Sequence, residues 1–169
     1  MERYTFAILV RNKSGVLNRV TSLFRRRQFN ISSLTVSETE SSDLSRITVL
    51  FDGDEPTKRQ LMNQLMKLPD IQAVHELDRE TTINCELLLV KMANSSASDR
   101  NDILDAAGAF GAKIMDYTRD AIILRLVGSS RRVDDFIDLM RDYQILEICR
   151  TGIVSLERGS HTMRSRTKL

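Results

Sequence analysis

Tryptophan is absent from this 169-residue chain, histidine and cysteine each occur twice, proline twice and glycine seven times. Each shortage closes a class. Cys85 and Cys149 lie far apart, so a disulfide framework, a CxxC redox pair and a cysteine-rich zinc site are excluded. Two histidines, His75 and the tail residue His161, leave little for zinc or acid–base chemistry. No HExxH, GxSxG, GxxxxGK[ST] or GxGxxG occurs. No apolar run approaches the ~20 residues that span a bilayer, and the start, Met1-Glu2-Arg3, has no leader-like apolar stretch. The net charge of +2 gives no electrostatic footprint for nucleic acid. The expectation is a cytoplasmic binding or regulatory protein that touches neither membrane nor nucleic acid.

What the chain does have is pattern. Residues 4–11 are β-branched, aromatic and apolar and read as a buried strand. Val16, Val20, Leu23 and Phe24 follow at helical spacing, and Arg25, Arg26 and Arg27 close that helix where cations favour its dipole. Residues 31–37 and 46–52 read as strands. Asp54-Glu55-Pro56 starts a helix carrying Leu61, Leu65 and Leu68, Pro69 stops it, and 71–77 is a strand. The order then repeats. Residues 84–91 form a strand, and Ser98 and Asp99 cap a helix with Ile103, Ala107 and Phe110, ended by Gly111. Residues 112–118 and 121–127 form a hairpin through Arg119-Asp120. A helix with Val133, Phe136, Ile137 and Met140 leads to a last strand at 145–150.

An offset of 75 pairs Gly53 with Gly128, Ile47, Val49 and Phe51 with Ile122, Leu124 and Leu126, and Leu61, Met62 and Leu65 with Phe136, Ile137 and Met140. The predicted architecture is α+β: two tandem ferredoxin-like βαββαβ domains, 1–79 and 80–158, then a mobile basic tail, 159–169. The polar run Asp78-Arg79-Glu80-Thr81 is the expected linker. Units of about 75 residues have marginal cores, so association is expected on stability grounds.

The halves differ at one turn. The first strand runs into Asn12-Lys13-Ser14-Gly15-Val16-Leu17, whereas Ala93 to Ser98, the matching turn, has no glycine. A glycine there lets backbone approach a ligand, and the helix beyond it offers free N–H groups to a carboxylate or phosphate. Asn12 adds a donor and an acceptor, and Asn30-Ile31 opens the next strand. On chemistry alone an ordinary tight turn with a polar cap is the favoured reading, since one Asn and one Gly specify little.

The run NKSGVLNRVTSLFRRRQFNISSLTVSETE, with LSRITV at 44–49, resembles the start of the small regulatory subunit of acetolactate synthase. QLMNQLMKLPDIQAVHEL (60–77), ELLLVKM (86–92) and EICRTGIVSLERG (147–159) extend the resemblance over residues 3–159. Gln28, where the family often has glycine, and Ser32-Ser33, where it often has an acid, depart from the pattern.

The resemblance implies an N-terminal ACT domain and a subunit that is not itself an enzyme and binds no cofactor. It implies a catalytic partner carrying thiamine diphosphate, Mg2+ and FAD, which the small subunit activates and makes sensitive to valine or another branched-chain amino acid. ACT domains pair into homodimers, with the effector at the interface. Asn12, Lys13, Ser14, Gly15, Val16 and Leu17 would line it from one protomer, and Asn30 and Ile31 from the other. The rival reading is a stand-alone tandem-ACT amino-acid sensor. An RNA-recognition module would use Tyr4, Phe6 and Phe51 as stacking aromatics but lacks its signature motif, and a metal-carrier domain would need a CxxC in its first loop.

Overall fold

A computed structural model describes residues 2–26, 29–78 and 80–164. The readings placed on Arg27, Gln28, Arg79 and the last five residues lie outside this set. The elements are β1 (Glu2–Arg11), α1 (Val16–Arg26), β2 (Ile31–Glu38), β3 (Leu44–Gly53), α2 (Glu55–Leu65), β4 (Ile71–Glu76), β5 (Thr82–Ala93), α3 (Ala97–Ala109), β6 (Lys113–Tyr117), β7 (Ala121–Gly128), α4 (Ser130–Met140), β8 (Ile145–Arg150) and β9 (Val154–Glu157). The βαββαβ order occurs twice, as the apolar periodicity predicts.

The first unit is built on a four-stranded sheet of order β2-β3-β1-β4, with β1 antiparallel to both β3 and β4. Alternation along β1 divides its side chains between two faces. Phe6, Ile8 and Val10 join Ile47, Val49 and Phe51 against Val20 and Phe24 of α1 and Leu61 and Leu65 of α2. The Phe51 ring lies 5.0 Å from that of Phe6, 5.7 Å from Phe24 and 5.6 Å from Phe29, all edge-on. Phe6 and Phe51 are fully buried and Tyr4 nearly so. These rings belong to the core and are not presented to a nucleobase.

The second unit repeats the plan, with β5 antiparallel to β7 and β8 and β6 on the edge. Leu88, Val90, Met92, Ile122, Leu124 and Leu126 face Ile103, Ala107, Val133, Phe136 and Met140. Positions matched by the sequence offset thus sit at matching inward sites in the two cores. The hairpin around Arg119-Asp120 closes through the Thr118 N–H to the Ala121 carbonyl, 2.9 Å.

Three details correct the sequence reading. The α3 cap is Ser96, whose hydroxyl accepts from the Asp99 N–H at 3.0 Å, while Ser98 and Asp99 lie inside the first turn. Ser96 is extended and so aims its oxygen at the free amides, which a residue already in helical conformation cannot do. The division between units falls between Ile83 and Asn84, not after residue 79, and from Ile153 the chain belongs to the first unit again. The basic tail, expected to be mobile, is held at its start. Met163 is buried with Ala7, Leu9, Ala73 and Leu77 on the sheet face opposite the helices, and Arg164 pairs with Glu40 at 3.3 Å.

That return is anchored by polar contacts. Ser33 accepts from the Ile153 N–H at 3.2 Å, and Thr35 donates to the Ile153 carbonyl at 3.3 Å. Arg46 donates to the Ser155 carbonyl at 2.7 Å, and the Arg158 N–H to the Thr81 carbonyl at 2.8 Å. Each satisfies a backbone group that would otherwise be left without a partner near the sheet.

Candidate functional site

The turn between β1 and α1 is fixed from three sides. The Asn12 N–H donates to the Asp43 carbonyl at 2.8 Å and the Lys13 N–H to the Arg11 carbonyl at 2.9 Å. Arg19 reaches from α1 to Asp70 at 2.6 Å, and the Arg11 N–H donates to the Asp70 carbonyl at 2.9 Å. Gly15 has φ +81°, the left-handed region that glycine adopts without steric penalty. A Cβ at Gly15 would meet only Arg19 Nη1, at 3.9 Å, so the need for glycine is conformational rather than one of crowding.

Gly15 also stands where a capping side chain would. At the other helices Asp54, Ser96 and Ser129 accept from the N–H groups of Thr57, Asp99 and Arg132. Gly15, immediately before Val16, has no side chain to offer. The Val16 N–H donates to the Lys13 carbonyl at 3.3 Å, while those of Leu17 and Asn18 receive no capping side chain among the described residues, at the positive end of the helix dipole and with no acidic residue in that turn. Lys13, Ser14 and Leu17 are exposed around them. This arrangement can receive a small carboxylate.

Two of the named residues play other parts. Val16 is buried in the core and brings only its backbone to the turn. Asn12 donates through Nδ2 to Glu38 Oε1 at 3.0 Å and to the Ser42 carbonyl at 2.9 Å. Its amide pins the β2–β3 turn, and the carbonyl oxygen is what it still presents. Asn30 is exposed and Ile31 half-buried at the start of β2. They lie at the far end of α1, whose eleven residues span about 16 Å, from the glycine turn. One chain does not bring the two groups together. β2 is an edge strand, with Val36 exposed on it.

Glu38, Asp43, Asp70 and Arg19 complete the turn and were not singled out from sequence. A cleft of about 430 Å³ beside it is lined by Arg11, Asn12, Lys13, Asp43 and Gln72 among others. Asp43 and Gln72 arrive from the β2–β3 turn and β4, and no linear spacing announces them. Among the described residues no group of three His, Cys, Asp or Glu side chains is placed to hold a metal, and no helix is long and apolar enough to cross a membrane.

Two tandem ferredoxin-like units, the first opening on a glycine-started helix, define the class of α+β proteins built from paired βαββαβ domains. Comparison with known proteins narrows this. Residues 6–73 match the model of the AHAS small subunit-like ACT domain, and residues 85–159 match that of the small subunit of acetolactate synthase. The chain is 44% identical over 158 residues to a probable acetolactate synthase small subunit of Archaeoglobus fulgidus, covering 94% of this chain and 98% of that one. It is 37% identical to the acetolactate synthase isozyme 3 small subunit of Escherichia coli, covering 96% and 99%. The crystal structure of the small subunit from Thermotoga maritima superposes with a TM-score of 0.88 at 36% identity, covering 95% of this chain and all of that one. The chain belongs to the acetolactate synthase small-subunit family, the regulatory subunits of that complex.

Proposed function

We propose that this chain binds and activates a catalytic acetolactate synthase subunit and makes it sensitive to valine or a related branched-chain amino acid. The carrying observation is the uncapped start of α1 behind Gly15. The effector carboxylate meets the first-turn amides, where helix dipole and free N–H groups favour an anion. The Asn12 carbonyl accepts from its ammonium group, and Leu17 contacts its side chain.

A second copy, paired along the β2 edge, supplies Asn30 and Ile31, so the site is complete only in the homodimer. This explains why the two groups lie at opposite ends of α1. Bond making stays with the cytoplasmic catalytic partner, which carries the thiamine diphosphate, Mg2+ and FAD. An effector that binds the less active arrangement more tightly reduces activation by that differential affinity.

The test is co-purification followed by reconstitution. The chain alone yields no acetolactate from pyruvate with all cofactors present. It raises the rate of the catalytic subunit, and valine reverses the increase. A chain that binds valine but captures no thiamine-dependent subunit is a stand-alone sensor instead.

A further inference from the structure

The edge strand β2 changes face along its length. Ile31, at its start, pairs with Phe51 and packs against the helix-side core. Ser33 and Thr35 pair with Leu50 and Thr48, which alternate with the helix-side residues Val49 and Phe51. In a regular strand Ile31, Ser33 and Thr35 would share one face. The register shift between Ile31 and Ser33 re-aims the two hydroxyls to the helix-free side.

There they hold Ile153 by both of its backbone groups, Ser33 taking the N–H and Thr35 the carbonyl. Ile153 is the first residue of the first unit after the second unit ends at Gly152. The chain is held on the other side of Gly152 as well. The Thr151 N–H donates to the Leu87 carbonyl and the Leu87 N–H to the Thr151 hydroxyl, each at 3.1 Å. Arg150 pairs with the buried Glu86 and, at 2.8 Å, with Asp134 of α4. Gly152, at φ +76°, is the single residue between the two clamps. The other crossing, from Ile83 to Asn84, lies within the unbroken strand β5. One residue offers two soft dihedrals, too few to absorb a displacement of β2 without passing it to Thr151.

We propose that Ser33 and Thr35 are positioning residues that couple effector occupancy at Asn30 and Ile31 to the second unit, through their clasp on Ile153 and the short crossing at Gly152. This coupling rests on the effector reading of the glycine turn. It needs no contact between the ligand and either hydroxyl. The effector favours one position of β2, and the clasp makes that preference felt at Thr151 and β8. Moving the second unit costs the ligand free energy, so a chain without the clasp binds the effector no more weakly than wild type. Support of the site itself would have the opposite signature.

The experiment follows amide hydrogen exchange in β8 of the full chain with and without L-valine, beside the calorimetric affinity for L-valine. In the wild type L-valine changes the protection of β8 by at least about fivefold, the lower end of ordinary coupling. Ser33→Ala with Thr35→Val removes the clasp, while Met163 and the Arg46 bond to Ser155 still hold the returning segment. This variant binds L-valine at least as tightly as wild type, and β8 no longer responds. Ser33→Thr with Thr35→Ser, which keeps the acceptor and the donor, retains the response. A Gly-Gly insertion after Gly152 leaves both clamps in place and gives the crossing slack, and it also silences β8. The insertion decides the matter if the clasp variant fails to fold. The coupling is overturned if β8 ignores bound L-valine in the wild type, if it still responds after clasp removal or the insertion, or if the folded clasp variant binds L-valine more weakly. A wild type that binds none of L-valine, L-leucine and L-isoleucine overturns the effector reading, and this coupling with it.

Discussion

The Asn12 side chain donates to Glu38 Oε1 at 3.0 Å and so joins the turn after β1 to the end of β2. The two residues are far apart in sequence, and both lie at the surface. A hydrogen bond to a charged group is worth about 1.5–3 kcal/mol net, and solvent screening at the surface reduces this. Glu38→Ala should loosen the turn and weaken valine inhibition by up to about tenfold, while Glu38→Gln, which keeps an acceptor, stays nearer wild type. Valine titrations of the reconstituted enzyme measure this. Equal responses in the two variants would show that the bond does not position the turn.

Gly15→Asp should abolish valine inhibition while activation survives. The φ of +81° costs a non-glycine residue about 1 kcal/mol or more, and the added carboxylate repels the effector's own. Gly15→Ala carries the strain without the charge and should weaken inhibition less. If activation vanishes together with inhibition, the turn supports the subunit interface rather than the sensor.

Met163 is flanked by polar residues on both sides, yet it is 7% exposed beneath the first sheet. Burying a side chain of this size stabilises by about 1.5–3 kcal/mol. Met163→Ala, or truncation after residue 158, should lower the urea midpoint of the first unit accordingly. An unchanged midpoint would mean that the segment contributes no stability there.

Asp54 gives a pH signature. The side-chain and backbone hydrogen bonds it accepts from Thr57 hold its carboxyl below the usual carboxylate range. A depressed folded pKa adds stability above the unfolded value, and that contribution is lost as pH falls through the folded one. Wild type should therefore lose more Tm than Asp54→Asn as pH drops below about 4. Parallel acid profiles would remove the cap from the account.

Periodicity revealed both βαββαβ units because their cores are built from strands and helices with one buried face. Comparison of the two halves marked the glycine turn, since the matching turn, Ala93 to Ser98, has no glycine. Periodicity missed β9, which pairs with β5 and whose Ser155 carbonyl is held by Arg46, more than a hundred residues away. It missed the docking of Met163 because one apolar residue has no period. The resemblance, not periodicity, named Asn12 and Val16, and nothing linear shows that Glu38 and Ser42 take the Asn12 amide or that the Val16 side chain turns into the core.

The strongest test of a shared effector site exploits the distance between its halves. Gly15 and Asn30 flank α1 at opposite ends, so a two-copy site takes the turn from one chain and Asn30 from the other. Asn30→Ala alone should weaken valine inhibition through a lost hydrogen bond to a charged group, worth about 1.5–3 kcal/mol. Gly15→Asp and Asn30→Ala homodimers then each have two impaired sites. In a mixed dimer, one site carries both changes and the other carries neither. Co-expression with two different tags and tandem purification isolates the mixed dimer, and valine inhibition should reappear at the intact site with near wild-type affinity. If each chain formed its own site, every site in the mixture would carry one change and inhibition would stay lost. Recovery in the mixed dimer therefore reports the shared geometry directly, without requiring that either variant be free of small effects on folding.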